Sequence, residues 1–193
     1  MTVRKLLLAA ASLILAPALL ISQDEGVLLN PVDIYKPLVD SWPVYSGDYT
    51  GQRFSALKQV DQNTVKNLTL AWTEELTAGA PGSGGFRFGG GAPAQVIVGG
   101  EGSGEFTTGN NANIKGSILM VNDVLYVTSP DNVWAMDARD GSLLWRYFWK
   151  TRGGTHIGNR GAAIWGNYLF FETPDNYLVS LDARTGEERW HVE

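Results

Sequence analysis

His156 and His191 are the side chains best suited to ligate a transition metal, but they stand 35 positions apart with no third ligand at a recognisable spacing, so the pattern predicts no zinc site. His156 lies beside Arg160, near enough in the chain for both to reach one ligand. Glu74-Glu75 and Glu187-Glu188 are immediate neighbours. In extended chain such neighbours point to opposite faces, so they read as solvated charge and not as an acid and base sharing a substrate. Lys115-Gly116-Ser117 has the order Lys-Gly-Ser where a phosphate loop needs Gly-Lys-Ser, and Gly100–Gly104 breaks the Gly-x-Gly-x-x-Gly spacing at Glu105. No Gly-x-Ser-x-Gly elbow occurs, and Asn67-Leu68-Thr69, which fits a glycosylation acceptor, carries no catalytic chemistry. None of these groups forms a self-contained catalytic centre.

The elements that would position such groups are signalled by composition and repetition. Of 193 residues 44% are hydrophobic and 18% charged, a balance that supports a packed core. The net charge of −5, with no Lys/Arg block, excludes the electrostatic footprint of a nucleic-acid binder. There is no cysteine, so neither a disulfide nor a lipid on an N-terminal Cys is available, and stability must come from apolar burial. Twelve of the 23 glycines fall between Gly79 and Gly109, which predicts a Gly-rich insertion loop over 79–113.

Gly116–Trp145 and Gly161–Trp190 are two copies of one unit, with Asp137 and Asp182, Gly141 and Gly186, Trp145 and Trp190 each 45 positions apart. In the first copy, short apolar runs end at Asn122-Asp123, Pro130-Asp131-Asn132 and Asp140-Gly141, which predicts four strands. The second copy repeats the layout through Tyr168–Glu172, Tyr177–Asp182 and a last strand carrying Trp190. Four strands in a period of about 40–50 residues is the signature of a β-propeller blade. Within Asp-Ala-Arg-x-Gly-x-x-x-Trp, the Asp can accept from turn amides and the Gly can take positive φ. The Trp can then lay its ring across a neighbouring sheet with its N–H on a carbonyl. Asn67–Trp72 reads as an isolated strand, ending in the same type of Trp, that belongs to a preceding partial unit. The fold expected is therefore all-β, a partial β-propeller of about two to three blades, in a chain read as the N-terminal part of something longer.

At Trp42-Pro-Val-Tyr-Ser-Gly-Asp-Tyr-Thr-Gly-Gln-Arg-Phe-Ser55, Leu57–Val60, Ala71-Trp72 and Asn159-Arg160-Gly161 the chain resembles the pyrroloquinoline quinone (PQQ)-dependent alcohol dehydrogenases, over about residues 41–193. These are exported eight-bladed quinoprotein propellers that carry Ca²⁺ or a lanthanide beside the quinone. The resemblance implies that Arg160 contacts the quinone, and a guanidinium suits a carboxylated cofactor because its planar fork makes paired, charge-assisted hydrogen bonds. Two positions depart from the family. Adjacent cysteines often precede that arginine, whereas here the stretch is Gly153–Gly158 and no such ring can form. A cofactor-contacting Glu often stands where this chain has Lys115. Lys115 either pairs with a carboxylate of the cofactor or marks a pocket that no longer holds one. The metal ligands and catalytic aspartate of the family lie in later blades, beyond Glu193, so no catalytic or metal-ligating residue is assigned.

Arg4-Lys5, an apolar run from Leu6 to Ile21 broken at Pro17, and Gln23-Asp24-Glu25 form an export pattern, too short for a membrane-spanning helix of about 20 residues. The organisation expected is a signal peptide over 1–23, a linker over 24–40 and the propeller portion over 41–193. By resemblance the protein is a periplasmic or secreted dehydrogenase oxidising an alcohol or related substrate, with PQQ as cofactor and a periplasmic acceptor such as a cytochrome c as electron partner. The alternative is a propeller that has lost its cofactor and serves as a binding or assembly scaffold.

Overall fold

The computed structural model describes residues 28–76, 95–103, 114–152 and 160–193. The expected leader, most of the Gly-rich stretch, and residues 153–159 with His156 and Asn159 lie outside the described residues. Among the described residues nine strands form two sheets: β1 (Gln95–Gly99), β2 (Leu119–Val121), β3 (Val124–Ser129), β4 (Asn132–Asp137) and β5 (Leu143–Trp149) in the first, β6 (Ala163–Trp165), β7 (Tyr168–Glu172), β8 (Leu178–Asp182) and β9 (Glu188–Val192) in the second. Each copy of the repeat is a four-stranded antiparallel meander, β2-β3-β4-β5 and β6-β7-β8-β9, as its turn residues predict. The chain is all-β, a partial propeller, with two four-stranded blades among the described residues. Among the described residues no helix is long and apolar enough to cross a membrane.

The turns owe their geometry to residues that tolerate positive φ. Asn122 and Asp123 take φ of 50° and 61°, the paired left-handed conformation that a two-residue hairpin demands. In the repeated Asp-Ala-Arg turn, Asp137 Oδ1 accepts the amide of Arg139 at 2.9 Å, and Asp182 Oδ1 accepts that of Arg184 at 2.9 Å. Gly141 and Gly186 complete these turns at φ of 77° and 75°. Both copies carry a register shift at the same place, Ala135/Met136 and Ser180/Leu181. The extra residue strengthens local twist and re-aims the side chains that follow.

The blades are joined by indoles, each seated on the turn of the following unit. Trp145 is 2% exposed, its Nε1 donates to Ala183 O at 3.3 Å, and its ring lies where a Cβ on Gly186 would come within 2.6 Å. Tyr126 Oη donates to the same carbonyl at 2.9 Å. One unit earlier, Trp72 Nε1 donates to Ala138 O at 3.2 Å and its ring covers Gly141 at 2.5 Å from a would-be Cβ. The main core lies between the blades, where Leu119, Tyr126, Tyr147 and Trp149 meet Leu169, Phe171, Val179 and Leu181. A smaller cluster of Val127, Trp134 and Met136 on the other face of the first blade is covered by Trp72 and Leu76. The third indole differs: Trp190 is 42% exposed, with Phe170 as its ring neighbour at 5.9 Å.

Three details depart from the sequence reading. Asn67–Trp72, expected as a strand, forms none: Val65–Asn67 is a 3-10 turn and 68–72 has no regular structure, although Trp72 still reaches its seat on the first blade. Gln95–Gly99, inside the stretch expected to be a loop, forms β1 and adds to the first blade in parallel with β5, from Gln95 opposite Trp145 to Gly99 opposite Trp149. Glu188 is half-buried and is not plain solvated charge. It accepts from Tyr147 Oη at 2.5 Å and sits 2.6 Å from His191 Nδ1.

Candidate functional site

The innermost strands of the two blades, β2 and β6, begin side by side. Ser117 pairs with Gly161 in a parallel bridge, and the Ser117 amide donates to the carbonyl of Arg160 at 3.1 Å. The approach is so close that a Cβ on Gly116 would lie 2.5 Å from the Gly161 nitrogen, and Gly161 itself has φ of 122°. Lys115 and Arg160, both exposed, therefore stand on neighbouring backbones at one end of consecutive inner strands. A third cation joins this edge through the opening motif. Ser117 Oγ donates to Tyr45 O at 2.7 Å, and the guanidinium of Arg53 lies over the Tyr45 ring, 5.3 Å from its centroid. Trp42 holds this segment in place by exchanging backbone hydrogen bonds with Met120 of β2, at 2.7 and 3.0 Å. The sequence reading includes Arg53 in the opening motif but does not assign it to the site; in the structure its non-glycine φ of 53° is an unusual backbone position.

Antiparallel order brings further groups to the same end of the blades. β3 and β5 both return toward the start of β2, so the Pro130-Asp131 turn and the Trp149–Arg152 exit lie there, as does the equivalent Pro174-Asp175 turn of the second blade. Asp175 accepts three hydrogen bonds, from Trp149 Nε1 at 2.8 Å, Thr173 Oγ1 at 2.7 Å and the Arg152 amide at 2.9 Å. Burial alone would raise its carboxyl, but these donors outweigh burial and hold it below the usual carboxylate range. Asp131 is the opposite case. It is 4% exposed, its Oδ1 has no hydrogen-bond partner, and burial, followed by the charge of Asp175, pushes it up to about 7.

On the outer side of the blade junction a chain of polar groups runs from Tyr147 through Glu188 to His191, whose Nε2 lies 3.8 Å from Glu101 Oε1, and Glu101 is paired with Arg152. Burial, then the hydrogen bond to and charge of Glu188, push the Tyr147 hydroxyl upward and keep it protonated. His191 thus serves the blade junction, edge-on to Trp149 at 5.2 Å. Among the described residues no group of three or more His, Cys, Asp or Glu side chains could hold a metal ion. The far end of the blades carries a cavity of about 590 Å³ beside the Asn122-Asp123 turn, with Asp33, Lys36 and Asp40 in its wall, remote from Lys115 and Arg160.

Residues 42–191 match the model of the PQQ glucose/ethanol/alcohol dehydrogenase β-propeller domain. The chain is 30% identical over 201 residues to the dehydrogenase subunit of the quinone alcohol dehydrogenase of Gluconobacter oxydans (strain 621H), covering 99% of this chain and 22% of that protein. Among solved structures, the quinohemoprotein alcohol dehydrogenase ADHIIG of Pseudomonas putida HK5 superposes with a TM-score of 0.56 at 26% identity, over 84% of this chain and 20% of that one. The quinohemoprotein alcohol dehydrogenase of Comamonas testosteroni does so with a TM-score of 0.53 at 26% identity, over 79% of this chain and 19% of that one. The chain therefore spans about a fifth of the length of the proteins it matches.

Proposed function

The chain belongs to the PQQ glucose/ethanol/alcohol dehydrogenase β-propeller family, and from that premise we propose that it supplies the first blades of an exported quinoprotein that oxidises an alcohol or related substrate. Residues 1–23 act as the export signal, 24–40 as a linker whose Leu29 and Ile34 pack into the core of the blades, and 41–193 as the propeller portion, with a Gly-rich insertion at 79–113 that contributes β1. The observation that carries the proposal is the juxtaposition of Lys115 and Arg160 at the mouth of adjoining inner strands, with Arg53 nearby. A cationic edge matches the chemistry of a flat, multiply carboxylated quinone, and the glycines at 116 and 161 leave backbone without side-chain bulk beside it.

In this reading Arg160 binds a carboxylate of PQQ through paired N–H donors, and Lys115 contributes a point charge to the same anion. When bound, PQQ supplies two-electron acceptance from the substrate. The residues of this chain bind and orient it. Ca²⁺ or a lanthanide, the metal ligands and the general base belong to other blades, and electrons leave to a periplasmic acceptor of the cytochrome c type. A second reading, a scaffold without cofactor, is favoured by Lys115 standing where the resemblance expects Glu and by the absence of cysteine.

Reconstitution of the full-length protein with PQQ and Ca²⁺, followed by dye reduction with short alcohols, separates the two. The dehydrogenase reading expects bound-quinone absorbance and turnover, with Arg160→Ala lowering PQQ affinity by about 10- to 100-fold. A folded protein with neither absorbance nor turnover ends the dehydrogenase reading.

A further inference from the structure

The Pro-Asp-Asn turn occurs once in each blade, and the two aspartates are bridged by one residue. Trp149, 0% exposed, donates its backbone N–H to the Asp131 carbonyl at 2.8 Å and its indole N–H to Asp175 Oδ1 at 2.8 Å. Asp175 also holds the Arg152 amide, so the point where the chain leaves β5 is tied to the corner of the second blade. The environments of the two carboxyls diverge. Asp175 is saturated with donors and carries the charge. Asp131, in a left-handed turn at φ of 63°, is buried with an oxygen that nothing satisfies. We propose that Asp131, Trp149 and Asp175 form a proton-dependent latch between the blades, fastened while Asp131 is neutral and loosened when both carboxyls are charged.

The physical reason is desolvation. A buried carboxylate without a donor is costly, and a second carboxylate beside it raises the cost, whereas the neutral acid can stay in place. Among the described residues, the other charged and titratable groups at this corner are arranged around the latch and not within it. Arg152 pairs with Glu101 and lies over the Tyr177 ring, His191 sits edge-on to Trp149 and Tyr177, and buried Arg146 donates to Asn132 next to Asp131. The sign follows from linkage. Asp131 is raised from 3.8 to about 7, so the latched state binds a proton that the open state releases. Latching is strongest in acid, weakens as pH rises toward about 7, and levels off above it.

Amide exchange of Arg152 and of the Trp149 indole N–H in the full chain, between about pH 4 and about pH 8, tests the latch. Protection in the unsubstituted protein is expected to fall by up to about tenfold per pH unit and then to plateau. Asp131→Asn, which mimics the neutral acid, should hold high protection without slope, and His191→Gln should leave the slope intact. Should Asp131→Asn fail to fold, the ¹³C shift of the Asp131 carboxyl decides the matter directly, with a midpoint near 7 expected. A flat wild-type profile, a slope that survives Asp131→Asn or vanishes with His191→Gln, or a midpoint below about 5, overturns the proposal.

Discussion

A tryptophan ring on a glycine is the smallest unit of this architecture, and its energetics are lopsided. The ring of Trp145 removes a large apolar area from water, and the turn contributes only a missing side chain and one carbonyl. Gly186→Ala adds a single methyl, but that methyl meets the indole at 2.6 Å on a backbone with φ of 75°. Both strain and clash act, so a loss of about 1–3 kcal/mol is expected in chemical denaturation. Trp145→Ala removes the ring itself and should cost about 3–5 kcal/mol by the same measurement. An Ala at 186 that leaves the midpoint unchanged would mean the ring is not held by that turn.

Among elements, β1 is the one whose place depends on a single small residue. Gly99 lies against Tyr147 Oη and Glu188 Oε2, so any Cβ there displaces the hydrogen bond that joins the fifth strand to the second blade. Gly99→Ala should strip exchange protection from the Ile97 amide, which faces β5, while β3 and β4 keep theirs. Equal loss across the sheet would show that β1 is integral to the blade and not an addition to it. This strand also marks the limit of what the sequence discloses. The meanders were legible because their signals are local: Asn-Asp and Asp-Gly at the turns, alternation between them, and a Trp at fixed distance after each Gly. Gln95–Gly99 pairs in parallel with residues about fifty positions later, a relation that no local pattern encodes. The same holds for the site. Arg160 and Lys115 were named from motifs, whereas Arg53 near them and the Trp149 bridge between two aspartates depend on how blades are stacked.

At the scale of the whole molecule the units are coupled to their neighbours, since Trp72 covers one face of the first blade and Trp145 holds the opposite face to the second. Stability in such a stack is a sum of unit and junction terms. Trp72→Ala should therefore release the cluster of Val127, Trp134 and Met136 and leave protection in β6–β9 nearly unchanged. Trp145→Ala should lower protection on both sides of its junction. Hydrogen exchange resolved by strand distinguishes these outcomes from a single cooperative loss.

The seating is also polar: each ring sits at the close of its unit, and its seat is made by residues that come later in the chain. A polypeptide growing from its amino end thus always offers a finished knob to an arriving socket. Assembly can advance in one direction, leaf upon leaf, as the ribosome delivers it. The molecule carries its own order of construction, written in which partner is synthesised first.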